Sequence, residues 1–339
     1  MLKDNLTINN ITLQNRVVAE PIVTNSGDNI GRPTFKTMEI YRGYAQSHAG
    51  VVVVEQHAVH RWGRNKINQF RLYDDASAAS LEPLTKLFRD KGIPVVAQLN
   101  FAGAGASGGS LLAEYDFDLV SPSGLRTPRD IIKTDSRALE RMEIQAIIES
   151  FAQAAKRAVE ISKYSGGVQI YACHGYLISQ FLSPLTNKRT DEYGGSLQNR
   201  ARLLFEIIEA VRAVIGDYPL SVRLGASDQM PFEQENGLTL AESTRIAEEL
   251  GRMGIKWLGI SGNHCIYGIG VDDKDTAYFA PYAKAIRRAV QKYGVFVDCA
   301  GGIRTPGTAR KLLEEQVCDL IGIGRPLMAD KAFLAGWNL

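Results

Sequence analysis

The feature that most constrains the fold is an eightfold alternation of short, almost wholly apolar runs with longer amphipathic ones. The short runs are Val17–Val23, Val51–Gln56, Pro94–Asn100, Gly167–Ala172, Leu220–Ala226, Trp257–Gly262, Val295–Gly301 and Asp319–Arg325. They are too apolar for strands with one wet face, and read as parallel strands covered on both sides. Between them, Glu143–Ile161 places Ile144, Ile147, Phe151, Ala155 and Val159 at helical spacing, and Ala201–Ile215 does the same with Leu204, Ile207, Ile208, Val211 and Ile215. Further helical runs lie near Phe35–His48, Leu81–Lys91, Ala241–Met253, Tyr278–Lys292 and Pro306–Glu315. Eight strand-then-helix units predict an α/β fold, a closed (β/α)8 TIM barrel. A single domain over 1–339 is within that fold's ordinary size. An open doubly wound sheet would need a glycine-rich turn after the first strand. Here that strand runs into Glu20-Pro21-Ile22-Val23 instead.

Two excursions leave this pattern. Leu6–Gln14 alternates apolar and polar residues around Asn9-Asn10, which predicts an N-terminal β-hairpin capping the barrel bottom. Phe101–Thr134 holds five glycines and few helical signals, a long loop after the third strand. Such a loop at a strand's C-terminal end lies where barrels keep their chemistry. Formal net charge is +2, so no strong field favours nucleic acid or an acidic membrane. Cys173, Cys265, Cys299 and Cys318 form no CxxC pair, so no metal site is expected, and a reduced cytoplasmic setting suits them. The N-terminus has no apolar signal region and no run spans a membrane.

Past the fourth strand come Tyr171-Ala172-Cys173-His174-Gly175-Tyr176 and then Phe181-Leu182-Ser183-Pro184. Three hydrogen-bonding side chains on one barrel-mouth loop suggest a site, or equally a corner in which they satisfy one another. The stretch Asn187-Lys188-Arg189-Thr190-Asp191-Glu192-Tyr193-Gly194-Gly195-Ser196-Leu197-Gln198-Asn199-Arg200 follows. These blocks resemble, in order and spacing, the signature of the old yellow enzyme family of NADH:flavin oxidoreductases. The resemblance runs from Asn15-Arg16 to Gly324-Arg325-Pro326. Asn187–Gly195 reads as structural, locking the loop that presents Tyr176.

The resemblance implies FMN, held non-covalently at the barrel mouth, with NAD(P)H as electron donor and a small-molecule substrate. A flavin phosphate needs backbone N–H donors and a cation. Gly301-Gly302 and Gly324-Arg325, after the seventh and eighth strands, supply both. Arg223 matches the family's arginine near the pyrimidine edge, and Gln98 the glutamine that reads the pyrimidine amide. Pro21, Ile22 and Val23 match the flavin's flank, and Gln56 stands where a small residue often meets the ring. Glu20 likewise replaces a usual small residue.

The chain departs from the family pattern at Tyr171, where the first histidine of a substrate-gripping pair is usual; His174 remains. A Tyr–x–x–His pair resembles the trimethylamine dehydrogenase branch, but Val23 stands where that branch tethers flavin by cysteine, and the loop after the sixth strand has no tryptophan. That loop, Gly262-Asn263-His264, resembles the 2,4-dienoyl-CoA reductase branch, in which a loop histidine assists the tyrosine matching Tyr176. A solvated loop histidine is the plain alternative. Both branches carry a cysteine-ligated cluster beyond the barrel. This chain stops at Leu339 without such cysteines, so internal electron delivery through a cluster is not expected. Three readings follow. The first is an NAD(P)H-dependent reductase of activated C=C bonds, with Tyr176, His174, Tyr171 and His264 at the chemistry. The second is an amine dehydrogenase or demethylase passing electrons to a separate acceptor. The third is a weakly active flavin-binding sensor or scaffold. A homo-oligomer is compatible with all three.

Overall fold

A computed structural model describes residues 1–106, 119–125, 136–228, 236–262 and 275–339. Its core is a (β/α)8 barrel. The chain opens with the expected hairpin, β1 (Leu6–Ile8) and β2 (Ile11–Leu13), paired antiparallel with Leu6 opposite Leu13. The barrel strands are β3 (Val17–Ala19), β4 (Val51–Ala58) and β5 (Val95–Asn100). After the short pair β6 (Val120–Ser121) and β7 (Arg137–Ala138), they continue as β8 (Val168–Ala172), β9 (Leu220–Gly225), β10 (Trp257–Ser261), β11 (Phe296–Cys299) and β12 (Leu320–Ile323). All eight pair in parallel, and β12 closes the ring on β3. Each run read as a strand became one.

The helices cover the outside. Arg141–Glu160 buries Ile144, Ile147, Phe151, Ala155 and Val159, and Leu197–Ile215 buries Leu204, Ile207, Ile208, Val211 and Ile215. Their starts follow local chemistry: Ser196 accepts the N–H of Asn199, and Thr239 with Glu242 forms a reciprocal cap on Leu240–Arg252. Among the described residues no helix is long and apolar enough to cross a membrane.

Inside the ring, side chains change character along the axis. At the N-terminal end, Val18, Val51, Val53, Val96, Trp257 and Leu320 pack against Leu6, Ile8 and Leu13 of the hairpin, which plugs the barrel. Nearer the other end the buried inward positions are polar: Glu20, Gln98, Gln169, Arg223 and Asp298. A closed barrel with an apolar floor and a polar ceiling presents its chemistry at one end only.

From the sequence, His48 reads as the cap of the helical run near Phe35–His48 and His57 as a surface residue of the loop after the second strand; the structure places both otherwise. His48 does not cap a helix; the helix ends at Tyr44, and His48 is exposed at a φ of 64°. His57 does not lie on the surface. A register shift between Val54 and His57 carries β4 through Ala58 and turns His57 outward into the packed layer, fully buried. There Nδ1–H donates to the Gln98 carbonyl at 3.2 Å and Nε2 accepts from the Tyr164 hydroxyl at 2.8 Å.

Burial holds the His57 imidazole down from its ordinary 6.5 to about 4. In the neighbouring Glu55, burial pushes the carboxyl up from 4.5 to about 7, against hydrogen bonds from Thr24 and Tyr41. Between the two His57 values the unfolded chain binds the extra proton. The stability held by neutral His57 is therefore complete above about 6.5 and lost as pH falls toward 4. Glu55 acts oppositely: its contribution is present below 4.5 and lost as pH rises through about 7. The two offset over their shared window. His57→Gln removes one side of that balance. As pH falls below 6.5, its unfolding free energy should rise relative to the unmodified protein, by on the order of 3 kcal/mol at the acid end. Parallel urea-unfolding profiles across the series would contradict this assignment.

Candidate active site

A cavity of about 450 Å³ opens where β3, β8, β9, β10, β11 and β12 end. That volume is in the range of small-molecule and cofactor sites. Most sequence-predicted site residues meet on its wall: Pro21, Ile22, Val23, Tyr171, His174, Tyr176, Arg223, Gly301, Gly302, Gly324 and Arg325. Gln56 and Gln98 do not line it. Gln98 points into the barrel in register with Gln169, and the two amides bond at 2.8 Å, one inward layer below Tyr171. Gln56 stands behind Tyr176. His264 lies outside the described residues.

Each wall residue is held by its own local structure. Tyr176 follows β8 and is 1% exposed. Its hydroxyl oxygen accepts Nε2–H of Gln56 and Nδ2–H of Asn65, each at 3.0 Å. Gln56 is fixed in turn by Asn100 on its Oε1. Two amide donors fix the position of the phenol oxygen at the cavity wall. Beside it the Tyr171 hydroxyl meets His174 Nδ1 at 2.5 Å, and His174 Nε2 meets the Ser261 hydroxyl at 2.6 Å. His174 adopts a left-handed φ of 62°, a costly conformation for a non-glycine residue. Tyr171, His174 and Ser261 thus form one polar chain across β8 and β10.

The opposite wall suits an anion. Gly301 and Gly302 both have left-handed φ, 88° and 70°. A Cβ at either would collide with Tyr278, so the turn requires glycine. Arg304 and Arg325 line the same wall, and Arg325 reaches the Tyr278 hydroxyl at 3.4 Å. Val23 is 39% exposed, an apolar surface facing the cavity at its flank.

Arg223 stands at the cavity floor, 8% exposed. Its Nη1 is tightly paired with Glu20 Oε2. Burial pulls the guanidinium down, but Glu20, Cys173, Tyr171 and Asp298 together outweigh burial and hold it firmly protonated. Its Nε is buried with no hydrogen-bond partner among the described residues. Such an orphaned donor costs roughly 1–3 kcal/mol until an acceptor arrives. A planar ring with carbonyl and imine acceptors, an apolar flank and a phosphate tail meets every feature of this cavity. The residues present fit FMN.

The loop after β8 is locked as its sequence suggests. Arg189 grips Asp191 with Nε and Nη2 and donates Nη1 to the carbonyls of Pro122 and Leu139. Asn187 Nδ2 bonds the Phe181 and Tyr193 carbonyls at 2.8 and 2.7 Å. None of these residues lines the cavity. Ser261, Asn65 and Asp298 were missed from sequence. Strand alternation places Ser261 and Asp298 inward, with Trp257 and Gly259 on one strand and Phe296 on the other, so the signal was present. Asn65 lies in a loop with no periodicity to reveal it.

The NADH:flavin oxidoreductase / NADH oxidase family model matches residues 3–336. A NADPH dehydrogenase of Bacillus subtilis (strain 168) is 32% identical over 330 residues, 97% of this chain and 91% of that protein. A metal reductase of Desulforamulus reducens is 36% identical over 329 residues, 95% of this chain but 46% of that protein. Among solved structures, a 2-naphthoyl-CoA reductase complex superposes with a TM-score of 0.88 at 28% identity, covering 98% of this chain and 51% of its own. The chain thus spans about half the length of several relatives it matches. Cavity, phosphate wall and signature loop agree with these likenesses, and the chain belongs to the NADH:flavin oxidoreductase / NADH oxidase family, the old yellow enzyme family of FMN-dependent oxidoreductases.

Proposed function

We propose that residues 1–339 act as one flavin-binding unit that reduces activated C=C bonds, of enones or enoates, at the expense of NAD(P)H. The observation that carries this reading is Tyr176, a buried phenol on the cavity wall whose oxygen is held by two amide donors at 3.0 Å. FMN, when bound, relays hydride from nicotinamide to the substrate's β-carbon. The protein's part is to hold, orient and protonate. Arg325 with the Gly301-Gly302 turn holds the phosphate, Arg223 faces the pyrimidine edge, and Pro21–Val23 flank the ring. His174 and Tyr171 bind the substrate's polar group and concentrate negative charge there. Tyr176 gives its proton to the α-carbon, with Gln56 and Asn65 holding its oxygen in place. Solvent then returns the proton.

A second reading has its own support. The chain Tyr171–His174–Ser261, linked at 2.5 and 2.6 Å, would serve equally to take a proton from an amine donor. The two readings separate on which substrate changes the flavin spectrum. The 2-naphthoyl-CoA reductase likeness places enoyl and aryl thioesters in the test panel beside simple enones.

Three outcomes are expected. FMN should leave the protein on acid denaturation, since Val23 offers no tether. Arg325→Ala should weaken FMN binding by roughly 1.5–3 kcal/mol, the loss of a charge-assisted contact. Equilibrium titration of deflavinated protein reads this, and an unchanged affinity would remove Arg325 from the phosphate site. Tyr176→Phe should leave flavin reduction by NAD(P)H nearly intact and slow reoxidation by alkene roughly 10²–10⁴-fold. Stopped-flow of the two half-reactions separates them. If Tyr176→Phe slows neither, the tyrosine is structural; if amines but no alkenes alter the flavin spectrum, the second reading replaces the first.

A further inference from the structure

Three ionisable side chains meet under the cavity floor. Glu20 follows β3, Arg223 comes from β9 and Asp298 from β11, and they are 4%, 8% and 2% exposed. Glu20 pairs tightly with Arg223, while Asp298 Oδ2 accepts the Trp257 indole N–H at 2.7 Å. Glycines on adjacent strands make the room. A Cβ at Gly322 would strike Glu20 Oε1, and one at Gly259 would press on Asp298 Oδ2. Glu20 and Arg223 face the cavity, and Asp298 stands behind them. Tyr171, on β8, and Cys173, just past its end, are the other titratable groups acting on Arg223.

Two carboxyls share one guanidinium here. Burial pushes Asp298 well above the usual carboxylate range, and Glu20 beside it pushes the same way against Arg223. The Glu20 carboxylate, in direct contact with Arg223 Nη1, offsets the guanidinium charge at the cavity floor. An arginine alone at the pyrimidine edge would favour a negatively charged reduced ring. A neutralised one does not.

We propose that Glu20 sets the protonation state of reduced FMN: by cancelling Arg223 at the cavity floor, it makes the reduced ring neutral, so that reduction takes up two protons. Hydride from the reduced nicotinamide brings two electrons and one proton to the ring and leaves oxidised nicotinamide. One further proton from solvent enters at N1, cancelling the charge otherwise spread over N1 and the C2 oxygen. The inference rests on FMN seating against Arg223, not on the alkene chemistry. Glu20 is thus a residue that tunes the cofactor, in a position where the family usually has a small side chain.

The test is a spectroelectrochemical titration of the FMN-loaded protein without substrate. Each proton taken up moves a two-electron midpoint by about 30 mV per pH unit. On the alkaline side of neutrality, where free reduced flavin is an anion, the unmodified protein should show the slope for two protons, about 60 mV, and the reduced spectrum of a neutral ring. Glu20→Gln and Glu20→Ala should halve the slope, raise the midpoint and give the anionic spectrum. Asp298→Asn should keep the two-proton slope, because Glu20 retains its charge. A one-proton slope with an anionic spectrum in the unmodified protein overturns the proposal, even if neither Glu20 variant retains flavin. So does an unchanged slope in a Glu20 variant that retains it, or a halved slope in Asp298→Asn. Because no alkene takes part, this outcome is independent of whether the protein is an ene-reductase.

Discussion

Everything at the barrel mouth depends on closure of the parallel ring, where β12 pairs with β3 through Ile321–Val17, Gly322–Val18 and Ile323–Ala19. Closure fixes which positions face inward, and along each strand those positions recur every second residue. It brings Glu20, at one end of the chain's barrel segment, beside Gly322, near the other. It also gathers Arg223 and Asp298 from intervening strands. A buried ion pair is rarely a net source of stability, because desolvating two charges costs several kcal/mol each. Here the apolar floor, sealed by Leu6, Ile8 and Leu13, supplies the packing, and the polar layer above is free to serve a ligand.

The fold was legible because its signal is repetitive. Eight apolar runs became eight strands, and the helix faces read at Ile144 to Val159 and Leu204 to Ile215 are the buried ones. Boundaries moved where local geometry intervened. The irregularity at Val54–His57 lengthened β4 and buried His57, which reads from the sequence as a surface residue of the following loop. The cavity wall was legible where motif and strand end coincide, as at Tyr176, Gly301-Gly302 and Gly324-Arg325. It was least legible where a side chain acts through another. Gln56 holds the Tyr176 hydroxyl from behind, and Gln98 pairs with Gln169 one layer down. Neither spacing nor resemblance distinguishes a residue that touches a ligand from one that supports the residue touching it. Asn65 came from a loop, where position follows only from the folded structure.

The cavity therefore has three walls of different character. One carries the Tyr171–His174–Ser261 chain and Tyr176, suited to polar groups and protons. One carries glycines and arginines, suited to a phosphate. The floor carries a guanidinium paired with its own neighbour, Glu20. Replacement of the family's usual histidine by Tyr171 does not leave His174 isolated; the tyrosine hydroxyl meets its Nδ1, and Ser261 meets its other nitrogen. The substitution thus leaves His174 hydrogen-bonded at both ring nitrogens.

The most direct test of the account is a crystal structure of the FMN-loaded protein. The account predicts the phosphate within hydrogen-bonding distance of the Arg325 guanidinium and the Gly301-Gly302 backbone, the pyrimidine edge on Arg223 with its orphaned Nε satisfied, and the Tyr176 hydroxyl over the ring. A phosphate bound elsewhere, or a ring whose pyrimidine edge turns away from Arg223, would contradict it.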